Sequence, residues 1–254
     1  MTGYGLWLSA AGMRINDHRQ TLIANNMANA ETVGFKHDLA VVRQRRVERR
    51  EDPGAGAFAH PVLDGLPGGV NVLPVFHAFD QGPLRNTGRP LDIAIEGDGF
   101  FPVSDGTETR YTRDGRFALS NSGDLILAAG NGRWRVLDDG GAVINIDPTA
   151  GAVELADDGT VRQGQAVIAR LGRYSNDNKQ TLRKVGQNTF RATAEMTPVA
   201  GQFKSGAVEG SSFDVMKGLA AMIETQRSFQ LNATMIRMQD ELTGRAINTV
   251  GRVA

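Results

Sequence analysis

Apolar residues recur at one period near the two ends of the chain and at another in its middle. From Leu6 to Asn29 there is no proline and only one glycine; Leu8, Ile15 and Leu22 fall seven apart, with Ala11 and His18 between them on the same stripe. That spacing predicts an amphipathic helix. It ends at Asn25-Asn26-Met27-Ala28-Asn29, just before Gly34, where residues that favour helix termination cluster. At the other end Val215, Met222, Phe229 and Ile236 recur every seven residues, and Leu219, Gln226, Ala233, Asp240 and Ile247 follow four positions after them. A 3.5-residue repeat sustained over this length reads as a coiled-coil seam, with Asp214 or Ser212 able to cap its start. Gln226 and Asp240 are polar interruptions that would set register or face polar groups in a larger assembly.

The middle lacks helical periodicity. It contains six Asp-Gly pairs, at 64–65, 98–99, 105–106, 114–115, 139–140 and 158–159, plus Asn131-Gly132. Such pairs suit hairpin turns in which both central residues take positive φ. Between them lie short strand-like runs at 91–95, 100–103, 125–127, 134–137 and 166–169. In an extended Phe100-Phe101 pair the two rings point to opposite faces, one to fill the β core and the other to meet an interface. The fold expected is α+β: terminal helices forming a coiled-coil domain, with a central, mainly antiparallel β domain between them in sequence. The boundaries are an N-terminal helix over 1–36, an extended connector over 37–88, the β domain over 89–196, a return connector over 197–212 and the C-terminal helix over 213–254. The first connector is marked by a stretch rich in glycine and proline between Arg50 and Pro74.

Composition narrows the function classes. Lysine plus arginine equals aspartate plus glutamate at 28 each, so no net charge draws the chain toward nucleic acid or an anionic membrane. The run Arg43, Arg45, Arg46, Arg49 and Arg50 lacks interleaved aromatics and is diluted by Glu48, Glu51 and Asp52, which favours a solvated or intersubunit face over a polyanion site. Cysteine is absent, which excludes disulfides, thiolate nucleophiles and cysteine metal sites. The start of the chain does not resemble a secretory signal, and no run approaches a transmembrane span.

Candidate chemistry is sparse. His18, His37, His60 and His77 form no close ligand pair. No nucleophile elbow, phosphate loop or dinucleotide fingerprint occurs, and the paired carboxylates Asp138-Asp139 and Asp157-Asp158 each precede a turn glycine. No catalytic, cofactor or metal residue is expected, and neither nucleic acid nor a small-molecule substrate.

Several strings, in order along the whole chain, resemble the flagellar rod and hook axial proteins. They are Ile23-Ala24-Asn25-Asn26-Met27-Ala28-Asn29 followed by Thr32-Val33-Gly34-Phe35-Lys36; Gln81-Gly82-Pro83-Leu84 with Thr87-Gly88; the run from Pro90 to Phe101; Tyr111-Thr112-Arg113-Asp114-Gly115 with Phe117; and Val208-Glu209-Gly210, Met222-Ile223, Gln226-Arg227-Ser228-Phe229 and Asp240-Glu241. Ser212-Phe213 and Gly218 depart from that pattern, and Met27 stands for leucine.

The resemblance implies a structural subunit of the basal-body rod, polymerising helically between motor and hook. A hook-like axial subunit and a secreted β-domain adhesin are the alternatives. It further implies paired terminal helices lining an axial channel, other rod and hook subunits as partners, and a place in the rod crossing the periplasm. Export would run through the flagellar type III apparatus without a cleaved signal. The residues expected at the assembly interface are Leu8, Ile15, Leu22, Asn25, Asn26, Asn29, Val215, Met222, Phe229 and Ile236.

Overall fold

A computed structural model describes residues 2–44 and 69–250. His60, the Asp64-Gly65 turn, the run from Arg45 to Arg50 and most of the connector rich in glycine and proline lie outside the described residues. The chain divides into two compact units: Met1–Ala28, Asp38–Phe76 and Asp214–Ala254 form one, and Asn29–His37 with His77–Phe213 the other.

The first unit is built on two helices, Thr2–Ala28 and Val215–Val250, packed along each other. Asp214 caps the second: its Oδ1 accepts from the amides of Met216 at 3.0 Å and Lys217 at 3.2 Å, satisfying two of the helix's free donors. The pair runs antiparallel. Gly5 faces the Gln239 side chain and Gly12, seven residues on, faces Asn232, seven residues back. The strands Val42–Gln44 and Val70–Val72 of the same unit pair antiparallel.

On the C-terminal helix Gly218, Met222, Thr225, Phe229, Asn232, Ile236, Gln239 and Thr243 form a line of shielded residues alternating four and three apart, with Ala221, Ser228, Ala233 and Gly244 half-buried beside it. Met222, Phe229 and Ile236 belong to that face. Their companions lie three positions after them, not the four that apolarity suggests: Leu219, Gln226, Asp240 and Ile247 are exposed and Ala233 is half-buried. The N-terminal helix meets this face with bare glycine backbone, which leaves room for Asn232 and Gln239 where a larger partner residue would exclude them.

The second unit is β-rich and antiparallel. Its seven-stranded sheet runs Leu182–Lys184, Thr189–Ala192, Thr109–Thr112, Phe101–Ser104, Arg135–Val136, Leu125–Leu127, Phe117–Leu119. A three-stranded sheet (Val153–Leu155, Thr160–Gln163, Ala166–Arg170) lies in the same unit. Phe101 enters the main core with Ile93, Val103, Phe117, Leu125, Trp134, Val161 and Phe203, edge-on to Phe117 at 5.2 Å. Phe100 points the other way, into a smaller cluster with Leu182, Phe190 and Met196. The two rings do take opposite faces, but both are core: Phe100 is 1% exposed and Phe101 0%, so neither is left for an interface. Each such ring buried contributes about 1.5–3 kcal/mol.

The turns work by a different device from the one the Asp-Gly pairs predict. Only Asn131-Gly132 has both residues at positive φ, at 50° and 75°. At 105–106 and 158–159 the glycine alone is left-handed, and the aspartate side chain closes the turn by accepting backbone amides. Asp105 Oδ1 accepts from Thr107 and Glu108, each at 3.0 Å, and Asp158 Oδ1 from Thr160 at 2.9 Å. Asp147 does the same with Thr149 at 2.8 Å, though no glycine follows it. These are side-chain turns, which spare the aspartate a left-handed backbone.

Hydrogen bonds to the ionised form hold all three carboxyls below their ordinary value of 3.8. A carboxylate with a depressed folded pKa contributes stability above its unfolded value and loses it as pH falls through the folded one. The thermal midpoint should therefore be level near neutrality and begin to drop below about pH 4. The triple variant Asp105→Asn, Asp147→Asn, Asp158→Asn, which retains turn-forming side chains, should lose stability at neutral pH and flatten that acid slope. Parallel acid slopes for the two proteins would contradict this origin.

Candidate functional site

At the heart of the β unit lies a buried ionic cluster drawn from segments far apart in sequence. Glu209 is 1% exposed and uses both oxygens. Its Oε1 accepts from Lys36 Nζ at 2.6 Å and from the Gly82 amide at 2.8 Å; its Oε2 accepts from Arg113 Nη1 at 2.9 Å. Lys36 also donates to the Asp80 carbonyl at 2.6 Å, and Arg113 Nη2 to the Gly97 carbonyl at 2.7 Å. Two cations thus share one carboxylate, and backbone carbonyls take up a further donor of each, while buried Arg113 Nε has no hydrogen-bond partner among the described residues. Burial holds the Lys36 amine below its usual value; Glu209 acts against that shift, and neighbouring Arg113 adds to it.

Local backbone geometry builds this cluster. Gly34 sits at φ 67° with its Cα against the Arg113 backbone, where a Cβ would come within 2.5 Å. A Cβ on Gly82 would lie 2.1 Å from the Gly210 carbonyl oxygen. Both positions need glycine for Lys36 and Glu209 to meet.

The cluster also joins the two segments through which the chain enters and leaves this unit. The Gly34 amide donates to the Glu209 carbonyl at 2.7 Å, the Ser212 amide to the Phe35 carbonyl at 3.0 Å, and the His37 amide to Ser212 Oγ at 3.3 Å. Ser212 therefore serves this junction, while Asp214 caps the helix. His77 lies among the rings of Phe79 and Phe190.

The residues expected at the assembly interface occupy different environments. Ile15 is buried; Leu22, Met222, Phe229 and Ile236 are half-buried. Leu8 and Val215 are exposed at 39% and 43%. Asn26 is buried and pairs with the backbone of Asp38, donating to its carbonyl and accepting from its amide, each at 2.8 Å. Asn29 accepts from Thr32 Oγ1 at 3.2 Å, and Asn25 is exposed.

A second apolar stripe went unrecognised in the sequence. Leu231, Met235, Met238 and Leu242, spaced four, three and four, are 68%, 49%, 53% and 61% exposed. Helical geometry puts them on one flank of the C-terminal helix, about a quarter turn round from Asn232 and Gln239. The signal that could have found them is a heptad offset from that of Phe229.

Comparison with known proteins identifies the kind of molecule this is. A family model described as "Flagellar hook protein FlgE/F/G D1 domain" matches residues 94–163, and one described as "Flagellar basal body rod FlgEFG protein C-terminal" matches 204–249. The chain is 35% identical to the flagellar basal-body rod protein FlgF of Caulobacter vibrioides, over 91% of both chains. It is 30% identical to FlgF of Mesorhizobium japonicum over 97% of both, and 31% identical to the rod protein FlgG of Bacillus subtilis over 96% of this chain and 97% of that one. The chain belongs to the flagellar basal-body rod protein family. It is a structural subunit of the flagellum's basal body and assembles with other basal-body components.

The strings that carry the resemblance converge on the buried cluster: Lys36, Gly82, Gly97, Arg113 and Glu209 each come from one of them. Truncating Glu209→Ala strands two buried cations and should cost about 3–5 kcal/mol in urea unfolding of the β unit. Lys36→Met should cost less, because Arg113 and the Gly82 amide still hold Glu209. Equal losses, or a loss below about 1 kcal/mol for Glu209→Ala, would show that the cluster is not the constraint described.

Proposed function

We propose that the subunit polymerises helically into the rod that serves as the drive shaft between motor and hook, with its terminal helices paired as an antiparallel coiled coil. The observation that carries this reading is the stripe of Leu231, Met235, Met238 and Leu242. Four large apolar side chains in a line, half or more exposed, are not left to water in a soluble monomer without purpose. A helical polymer requires two different surfaces that do not close on each other. The C-terminal helix offers one face to its own N-terminal helix and keeps another for a neighbouring subunit.

Membership of the family and the alternating four-and-three burial along the C-terminal helix support the coiled-coil reading. On this reading Met222, Phe229 and Ile236 act within the subunit, alongside Ile15 and Leu22 on the other helix, and Leu8 and Val215 reach outward. Asn25, Asn26 and Asn29 shape the exit from the N-terminal helix. Other rod and hook subunits are the proposed partners, and the rod's passage across the periplasm the proposed place. Export is proposed to use the flagellar type III apparatus without a cleaved signal. The role is structural rather than catalytic.

Two sets of substitutions separate these surfaces. Met235→Asp with Met238→Asp should leave the helix pair and the β unit folded, because both side chains already face solvent, yet abolish rod assembly and motility. Phe229→Asp or Ile236→Asp puts a charge in the seam and should melt the helix pair itself while the β unit survives. Circular dichroism reports helix content, and swimming in soft agar with electron microscopy of basal bodies reports assembly. Normal motility with Met235→Asp and Met238→Asp would refute the outward stripe as an assembly surface.

A further inference from the structure

The seam between the two helices contains an arrangement that stability alone does not explain. Its closest approaches are not apolar. A Cβ on Gly5 would meet Gln239 Nε2 at 2.6 Å, and a Cβ on Gly12 would meet the Asn232 amide group at 3.0 Å. Asn232 Nδ2 donates only to the Ser228 carbonyl of its own helix, at 3.0 Å, and buried Gln239 Oε1 has no hydrogen-bond partner among the described residues. Neither side chain gains a partner across the seam, and an unsatisfied buried acceptor is destabilising. Meanwhile Leu231, Met235, Met238 and Leu242 are spent on the exposed face of the same helix.

We propose that Asn232 and Gln239, each seated on a glycine of the N-terminal helix, are the register-determining residues of the helix pair. The argument is geometric. Gly5 and Gly12 are seven apart, as are Gln239 and Asn232, so both polar side chains meet glycine at once in a single antiparallel alignment. Slipping the helices by one heptad keeps one match at most. In one direction Gln239 comes to Gly12 while Asn232 faces Arg19; in the other, Asn232 comes to Gly5 while Gln239 runs past the helix start. A polar residue at a seam position specifies register at a cost in stability, and two such sites one heptad apart exclude the neighbouring registers. The register matters because it fixes which residues of the C-terminal helix face outward. An apolar seam would let the four-residue stripe compete for the N-terminal helix.

This inference rests on the coiled-coil reading, and cysteine pairs test the two separately. The chain has no cysteine of its own, so introduced pairs report without background. In the native register Ser9 lies midway between the two glycine contacts and Ile236 midway between the two polar residues. A Ser9→Cys, Ile236→Cys pair should therefore close a disulfide on mild oxidation of the full-length monomer. Ser9→Cys with Thr243→Cys reports the slip of one heptad that brings Gln239 to Gly12, Ser9→Cys with Phe229→Cys the slip that brings Asn232 to Gly5, and both should close little. Adding Asn232→Leu with Gln239→Leu should raise the slipped products relative to the native one by at least about tenfold, without lowering the thermal midpoint. The polar exchange Asn232→Gln with Gln239→Asn should keep the native pattern.

Failure of the native pair to close in the otherwise unaltered chain would overturn the pairing and this inference together. Closure there with an unchanged pattern in the leucine background would overturn the register role alone. So would loss of all cross-links in that background, because the polar residues would then be supplying stability and not choice.

Discussion

Glu209 is a buried carboxylate that must satisfy two buried cations at once, and the β unit is arranged around that demand. A lone carboxylate at such a depth would take up a proton rather than stay charged. Here Lys36, Arg113 and the Gly82 amide donate hydrogen bonds to Glu209 from three directions. None of those groups is a sequence neighbour of Glu209, so none can approach unless the entering segment, the loop before the core strands and the exit segment all take their native paths. A cluster of this kind adds little net stability over an apolar equivalent, but its members cannot be separated cheaply. It ties the segments that carry Lys36, Gly82, Arg113 and Glu209 into one all-or-none structure.

The helical unit shows the opposite allocation. Its internal seam is glycine, asparagine, glutamine and threonine as much as it is methionine, phenylalanine and isoleucine. Its best apolar side chains point away from the seam. Burying Leu231, Met235, Met238 and Leu242 against a neighbour gives each of them the transfer free energy that folding of the single chain leaves unclaimed. On the proposed assembly, stability thus moves from the monomer to the polymer.

Much of this was legible in the sequence. The two helices and the Asp214 cap follow from periodicity and capping chemistry, while the N-terminal helix stops at Ala28, short of the expected boundary at residue 36. The strands follow from short apolar runs bounded by Asp-Gly and Asn-Gly. The opposed faces of Phe100 and Phe101 follow from strand geometry alone. What periodicity could not supply was the partner. Apolarity ranks Leu219 above Thr225, yet Thr225 is buried and Leu219 is exposed. The same limit hid the outward stripe, because a heptad count anchored on Phe229 assigns one seam and stops. At 105–106 and 158–159 the turns fall where the Asp-Gly pairs predict but their mechanism differs: an aspartate can accept an amide through its side chain as readily as it can bend its backbone. The ionic cluster was present in the quoted strings as Lys36, Arg113 and Glu209, yet no local rule pairs charges that lie up to 173 residues apart.

The account stands on the chain being a stoichiometric part of the rod. The most direct test is to purify detergent-extracted hook–basal bodies from the source cell, quantify this chain by mass spectrometry, and examine the basal bodies of a strain lacking it. The account predicts the chain at levels comparable to the other rod proteins, and rod assembly arrested in its absence. A chain missing from those particles but abundant on the cell surface or in the cytosol, with rods complete without it, would contradict it.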